Sequence, residues 1–192
     1  MKLKLLFCEL LAVAIPSVIL AKPPHEGKSD TLKNAVILVI RHAEKPAQGP
    51  ELTAAGKARA KAYVDYFKDF TIDGQPLKLD YLMAAADSKA SHRPRLTIEP
   101  TSKSLGLTID SRFEDTQFQK LADEIRAKPL GKQILICWHH GEIPKLIQAL
   151  GADPSQVIPK SNWPDSVFNW VIQLRYDSDG RLLDAKRIDE NF

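Results

Sequence analysis

Two apolar runs each lead into a polar cluster that holds histidine, one of them with arginine and lysine beside it, an arrangement suited to moving a phosphoryl group. Ala35 to Ile40 (AVILVI) leads into Arg41-His42-Ala43-Glu44-Lys45, and Gln133 to Trp138 (QILICW) leads into His139-His140-Gly141-Glu142. A third polar cluster, Ser91-His92-Arg93-Pro94-Arg95, follows the apolar stretch Leu79 to Ala85. A neutral imidazole nitrogen can attack phosphorus and carry the group, splitting one hard displacement into two easier ones. Planar guanidinium forks match the oxygens of a phosphate. A second histidine, when protonated, adds donors to the same oxygens, and preorganised donors are often the largest catalytic contribution.

Other chemistries fit less well. His42, His139 and His140 are possible metal ligands, but the chain has no HExxH pattern and no cysteine pair, and arginines beside the site repel a cation. No metal and no cofactor is expected. Phosphate binding of the GxxxxGK[ST] kind has no matching stretch.

The clusters must be brought together by the elements that carry them. AVILVI and QILICW are continuous, β-branched runs of the kind buried on both faces of a parallel sheet. Thr53 caps a helix to about Phe70, with Ala60, Tyr63, Val64 and Phe67 along one face. Leu79 to Ala85 reads as a strand, Arg93 to Leu105 as a helix that Pro100 breaks or kinks, and Leu107 to Asp110 as a short strand. Asp115 to Lys128 and Gly141 to Leu150 read as helices. Phe168 to Tyr176 and Arg181 to Ile188 form a hairpin across Asp177-Ser178-Asp179-Gly180. Strands alternating with helices imply an α/β fold, a three-layer α/β/α sandwich with a mostly parallel sheet and an antiparallel C-terminal hairpin. In such sheets ligands bind at the carboxyl ends of the strands, where both histidine clusters fall.

At this point the sequence resembles the histidine phosphatase superfamily, which includes phosphoglycerate mutases and acid phosphatases. VILVIRHAEK is similar to its Arg-His motif at the end of the first strand, and Leu52-Thr53-Ala54-Ala55-Gly56 to its Leu-Thr-x-x-Gly helix start. Arg93-Pro94-Arg95-Leu96-Thr97 resembles its Arg-Ala-x-x-Thr segment, and Trp138-His139-His140-Gly141 its second-histidine motif. The resemblance spans roughly Ala35 to Tyr176. It implies His42 as nucleophile, Arg41 and Arg93 as phosphate clamps and His140 as the second pocket histidine, all four catalytic and the last three binding phosphate. Arg95 competes with Arg93 for its place. His140 is preferred over His139 because it precedes Gly141 directly and because neighbouring side chains on extended backbone point to opposite faces. His139 and His92 are then supporting or surface residues.

A general acid should protonate the leaving oxygen. Gly141 stands where the acid phosphatase branch has Asp, which leaves Glu142 and Glu114 as candidates, with Asp115 beside the latter.

The implied activity is hydrolysis of a phosphate monoester, on a small phosphorylated substrate or a phosphoprotein. A noncatalytic phosphate-binding protein on the same fold and a mutase-like phosphotransferase are the alternatives.

The remaining features bound where and with what this chemistry occurs. The 192 residues favour one domain, and 27% charged with 44% hydrophobic residues is ordinary globular composition. The net charge of +3 is spread along the chain without a basic run, so no nucleic-acid partner is indicated.

Lys2 and Lys4 before an apolar run to Ala21 read as an export signal over residues 1–21, despite Glu9 and Pro16 inside it. No stable membrane span is expected after its cleavage, and the protein is expected to be secreted or periplasmic. Residues 22–34, with two prolines, Gly27 and His25, read as a flexible leader to a domain over 35–192. Of two cysteines, Cys8 lies in the signal and Cys137 reads as a buried small hydrophobe.

Overall fold

The computed structural model describes residues 32–128 and 132–192, so the segment read as a signal and most of the leader lie outside the described residues. At the leader's end Leu32 is already buried and Asn34 donates its amide to the Asp177 carbonyl, so the folded domain begins slightly before Ala35.

AVILVI forms β1 (Val36–Arg41), buried from Ile37 onward. Helix α1 (Ala54–Lys68) starts as expected at Thr53, whose Oγ1 accepts from the Gly56 amide at 3.0 Å and so satisfies one free N–H of the first turn. A two-strand hairpin, β2 (Thr71–Ile72) and β3 (Gln75–Pro76), follows; Asp73 and Gly74 turn it with positive φ. Then come β4 (Tyr81–Ala84), α2 (Arg93–Leu105) and β5 (Ile109–Asp110). Pro100 neither breaks nor ends α2, which runs through it to an αL cap at Gly106. A 3-10 turn at Asp115–Gln117 precedes α3 (Phe118–Ala127). QILICW is β6 (Gln133–Trp138), followed by α4 (Ile143–Ala149), two 3-10 turns, and the hairpin β7 (Trp170–Tyr176) and β8 (Leu182–Asp189).

The main sheet has the order β5-β4-β6-β1-β7-β8. Strands β5, β4, β6 and β1 are parallel, and β7 adds antiparallel to β1, as β8 does to β7. Alternate residues of each central strand face opposite layers. Ile37, Val39, Ile134 and Ile136 join Leu121, Ile125, Leu146 and Ile147 of α3 and α4. Leu38, Ile40, Leu135 and Cys137 join Tyr63, Phe67 and Ile98 of α1 and α2. The result is the three-layer α/β/α sandwich expected from the sequence. Cys137 is fully buried beside the Thr97 hydroxyl, and burial pushes its thiol well above the ordinary value.

One polar network crosses the α1 layer. The Glu190 side chain, with no exposed surface, accepts from the Tyr63 hydroxyl at 2.7 Å and from Arg59 Nη1 at 3.0 Å. Arg59 also binds Glu44 Oε1, through Nη2 at 2.9 Å and Nε at 3.0 Å.

Burial outweighs these donors and pushes Glu190 up to about 7 from an ordinary 4.5. The folded state therefore holds this proton more tightly than the unfolded chain. The resulting stabilisation is complete below about pH 4.5 and is lost as pH rises through about 7, up to roughly 3 kcal/mol. Denaturant unfolding of wild type and Glu190→Gln at pH 5 and pH 8 is expected to show that loss in wild type and little of it in the variant. Parallel pH dependence in both proteins would contradict it.

Candidate active site

His42 follows β1 at the carboxyl end of the sheet, its amide donating to the Trp138 carbonyl at 3.0 Å. Its ring Nδ1 lies 2.7 Å from the Ala43 carbonyl oxygen. A carbonyl only accepts, so Nδ1 carries the proton and Nε2 keeps its lone pair. Among the described residues Nε2 has no hydrogen-bond partner. Burial, helped by the charges of His139, Arg41 and Arg93, pulls the imidazole down to about 3, so it is neutral at any ordinary pH. The turn is fixed from the side: the Ala43 amide donates to Thr97 Oγ1 at 2.9 Å, and that hydroxyl donates to the Arg93 carbonyl at 2.8 Å. Helix α1 closes on it from above, since a Cβ at Gly56 would stand 2.6 Å from the Glu44 carbonyl.

Arg41 is almost wholly buried under the irregular stretch before β7. Its Nη1 donates to the carbonyls of Pro164 (3.0 Å), Asp165 (3.0 Å) and Val167 (2.7 Å), and its guanidinium stacks 3.9 Å from the Phe168 ring centre. Burial lowers it to about 10, which leaves it charged at neutral pH. Much of this arginine is thus committed to holding the segment, while its buried Nε–H has no partner. Arg93 opens α2, and its Nη1 donates to the Gly49 (3.0 Å) and Ala90 (3.2 Å) carbonyls; its Nε–H is also buried and unpartnered. Arg95 points elsewhere, to Asp87 at 2.8 Å and to Glu99.

Both histidines after β6 approach His42, and the nearer is His139. The His42 and His139 ring centres are 5.2 Å apart, against 6.3 Å for His140. His139 lines a cleft of about 370 Å³ with Ser88, Ser91, Arg93, Glu114 and Asp115.

His140 is occupied on both ring nitrogens. Arg41 Nη2 lies 3.3 Å from Nδ1, and a guanidinium only donates, so the ring proton sits on Nε2, which binds Asp165 Oδ1 at 2.5 Å. Burial and the Arg41 charge lower His140, while Asp165 opposes them. Burial likewise lowers His139, with Asp115 opposing. His139 was expected to be a supporting residue because the chain was read as extended here. In fact its carbonyl accepts from the Glu142 and Ile143 amides, so the backbone is already turning into α4 and strict alternation does not apply.

Of the proposed acids, Glu142 pairs with Lys145 at 2.9 Å and does not line the cleft, whereas Glu114 and Asp115 do. Asp115 is held there by its carbonyl, which accepts from the Trp138 indole at 3.0 Å. Asp165 carries no motif that the sequence alone would reveal. His92 is turned to Glu51 at 3.3 Å. Among the described residues no group of three or more His, Cys, Asp or Glu side chains is arranged to hold a metal ion, and no helix is long and apolar enough to cross a membrane.

No protein-family model and no curated protein matches the sequence. Solved structures do match in shape. The protein histidine phosphatase SixA complexed with tungstate is 16% identical at TM-score 0.50, covering 80% of this chain and 96% of its own. A phosphoglycerate mutase from Bacillus anthracis is 16% identical at TM-score 0.55, over 84% of this chain and 94% of its own. A putative alpha-ribazole-5'-P phosphatase from Escherichia coli is 13% identical at TM-score 0.55, over 83% and 97%. Sheet order, helical layers and these likenesses agree: the chain has a phosphoglycerate mutase-like α/β fold.

Proposed function

We propose that this protein is an exported phosphatase that hydrolyses a phosphate monoester through a phosphohistidine on His42. The observation that carries the reading is the fixed tautomer of His42, with Nδ1–H tied to the Ala43 carbonyl and Nε2 unprotonated beside two arginines. In the first step Nε2 forms a bond to phosphorus as the ester P–O bond breaks, and the leaving oxygen takes a proton from Glu114 or Asp115. In the second, water attacks the phosphohistidine and gives a proton back to the carboxylate that served as acid, the N–P bond breaks, and phosphate leaves with the imidazole neutral again. The positive charge that the ring acquires while phosphorylated is met by the Ala43 carbonyl at its Nδ1–H.

The unpartnered Nε–H of Arg93, a residue that lines the cleft, is a buried donor that an anion's oxygen would satisfy, which supports phosphate as the ligand. Phosphatase and mutase names both occur among the proteins that share this fold. Hydrolysis is favoured here by a cleft that is open to water and lined by three carboxylates, Asp87, Glu114 and Asp115, the first of them paired with Arg95.

The test is hydrolysis of an aryl phosphate by the full chain with and without EDTA, over a broad pH range. Chelator-resistant release of phosphate is expected, since no step uses a metal. Phosphate binding without turnover would point to a noncatalytic anion-binding protein, and loss with EDTA restored by a divalent ion would overturn the mechanism.

Within this mechanism His139, not His140, supplies the second imidazole to the phosphoryl oxygens. His139→Ala is expected to lower kcat/KM by about 10²- to 10³-fold, the usual loss for one donor to developing charge. His140→Ala should lose less activity and more stability, because its nitrogens serve Arg41 and Asp165. Steady-state kinetics with thermal unfolding on both variants separates the two roles, and a larger activity loss in His140→Ala would reverse the assignment. Export predicts that protein recovered from outside the cytoplasm begins at Lys22 by mass spectrometry; an intact residue 1 on that material would refute cleavage.

A further inference from the structure

A groove of about 350 Å³ lies against the catalytic cleft and shares Ala90 and Arg93 with it. Its walls carry Lys45, Gln48 and Gly49 from the loop after His42, and Lys89 with Ala90 from the loop before α2. No carboxylate lines it. Elsewhere near α2 the exposed cations are matched by acids, Arg95 by Asp87 and Glu99 and Lys103 by Glu99. Lys45 and Lys89 have no ion-pair partner among the described residues.

The groove is also prebuilt. Arg93 Nη1 donates to the Gly49 carbonyl from one wall and to the Ala90 carbonyl from the other, and the His92 amide donates to the Pro50 carbonyl at 2.9 Å. The two lysine-bearing loops are thus held in register by the residue that separates groove from cleft. A ligand reaching from one to the other passes Ala90 and Arg93, the two residues that line both. Lys45 also lies close enough to the catalytic end for its charge to help lower His140.

We infer that this groove takes a second acidic oxyanion of the substrate, a phosphate or a carboxylate a few bonds from the scissile phosphate, held by Lys45 and Lys89. The inference rests on the phosphatase reading above and narrows it: substrates with two acidic groups should be preferred over simple monoesters.

The experiment compares kcat/KM for ethyl phosphate, phosphoglycolate and ethane-1,2-diol bisphosphate, in wild type and in the double variant Lys45→Ala, Lys89→Ala. Two partly exposed ion pairs should together give the doubly acidic esters an advantage of about tenfold, weakening as salt is raised. That advantage should collapse in the double variant. Whether phosphoglycolate or the bisphosphate gains more tells a carboxylate from a phosphate in the groove.

Turnover of ethyl phosphate with no preference, or a preference that survives in the double variant, would overturn the inference and leave the phosphatase reading standing. If no ester is turned over, the phosphatase reading fails instead, and calorimetric titration decides the groove. Methylenebisphosphonate binding about tenfold tighter than methylphosphonate in wild type only would support it; equal binding would overturn it.

Discussion

The His42→Ala protein is expected to lose phosphate release by about ten-thousand-fold or more, because removing a nucleophile leaves only binding and electrostatic assistance. Nothing nearby can replace it. His140 has both nitrogens engaged, and His139 faces the cleft without a carbonyl to fix its tautomer among the described hydrogen bonds.

The same geometry sets the pH behaviour. A free histidine loses its lone pair below about 6.5, whereas His42 stays neutral down to about 3. The acid limb of kcat/KM should therefore contain no fall near pH 6.5 that belongs to the nucleophile. Rapid quenching of wild type with labelled substrate should place an acid-labile, base-stable phosphoryl group on the peptide holding His42, and none on His42→Ala. Retained activity in His42→Ala, or label on another residue, would end the mechanism.

Arg41→Ala should be the most damaging structural change in the site. It strips a donor from the carbonyls of Pro164, Asp165 and Val167, leaves His140 Nδ1 unpaired and opens a void beneath Phe168. Loss of a buried hydrogen-bonded charge costs about 3–5 kcal/mol, which for a chain of this size lowers Tm by roughly 10 °C or more. Arg41→Lys is expected to recover little, since one ammonium cannot reproduce a fork that serves three carbonyls and an imidazole. Calorimetry or thermal circular dichroism checks this independently of activity. A change in Tm under about 2 °C would mean that the segment over Arg41 docks without it.

These two residues also mark what could be read from the sequence. AVILVI and QILICW are legible as central strands because burial on both faces demands an unbroken apolar run, and their ends locate His42 and His139-His140. Thr53 is legible as a cap because its side chain does a local job. The cover on Arg41 is not legible, since it is built from main-chain carbonyls, which every residue type offers equally. The nearer of the two histidines escaped for a related reason. Side-chain direction there depends on where the strand stops and the turn begins, and that is set by the hydrogen bonds the His139 carbonyl accepts. The β2-β3 hairpin is too short to leave a pattern, and Pro100 shows that a rule about helix interiors yields when the neighbouring turns are held by packing.

Cys137 turns the core beneath the site into its own clock. The thiol sits on β6 one residue before Trp138, wholly enclosed and strongly disfavoured as thiolate, so an alkylating reagent can reach it only when the sheet and α2 part. The rate at which the Cys137 peptide gains mass in native buffer therefore reports how often this layer opens. Saturating oxyanion should slow that labelling if anion binding and closure of the layer are coupled, and leave it unchanged if the cleft fills without tightening what lies below.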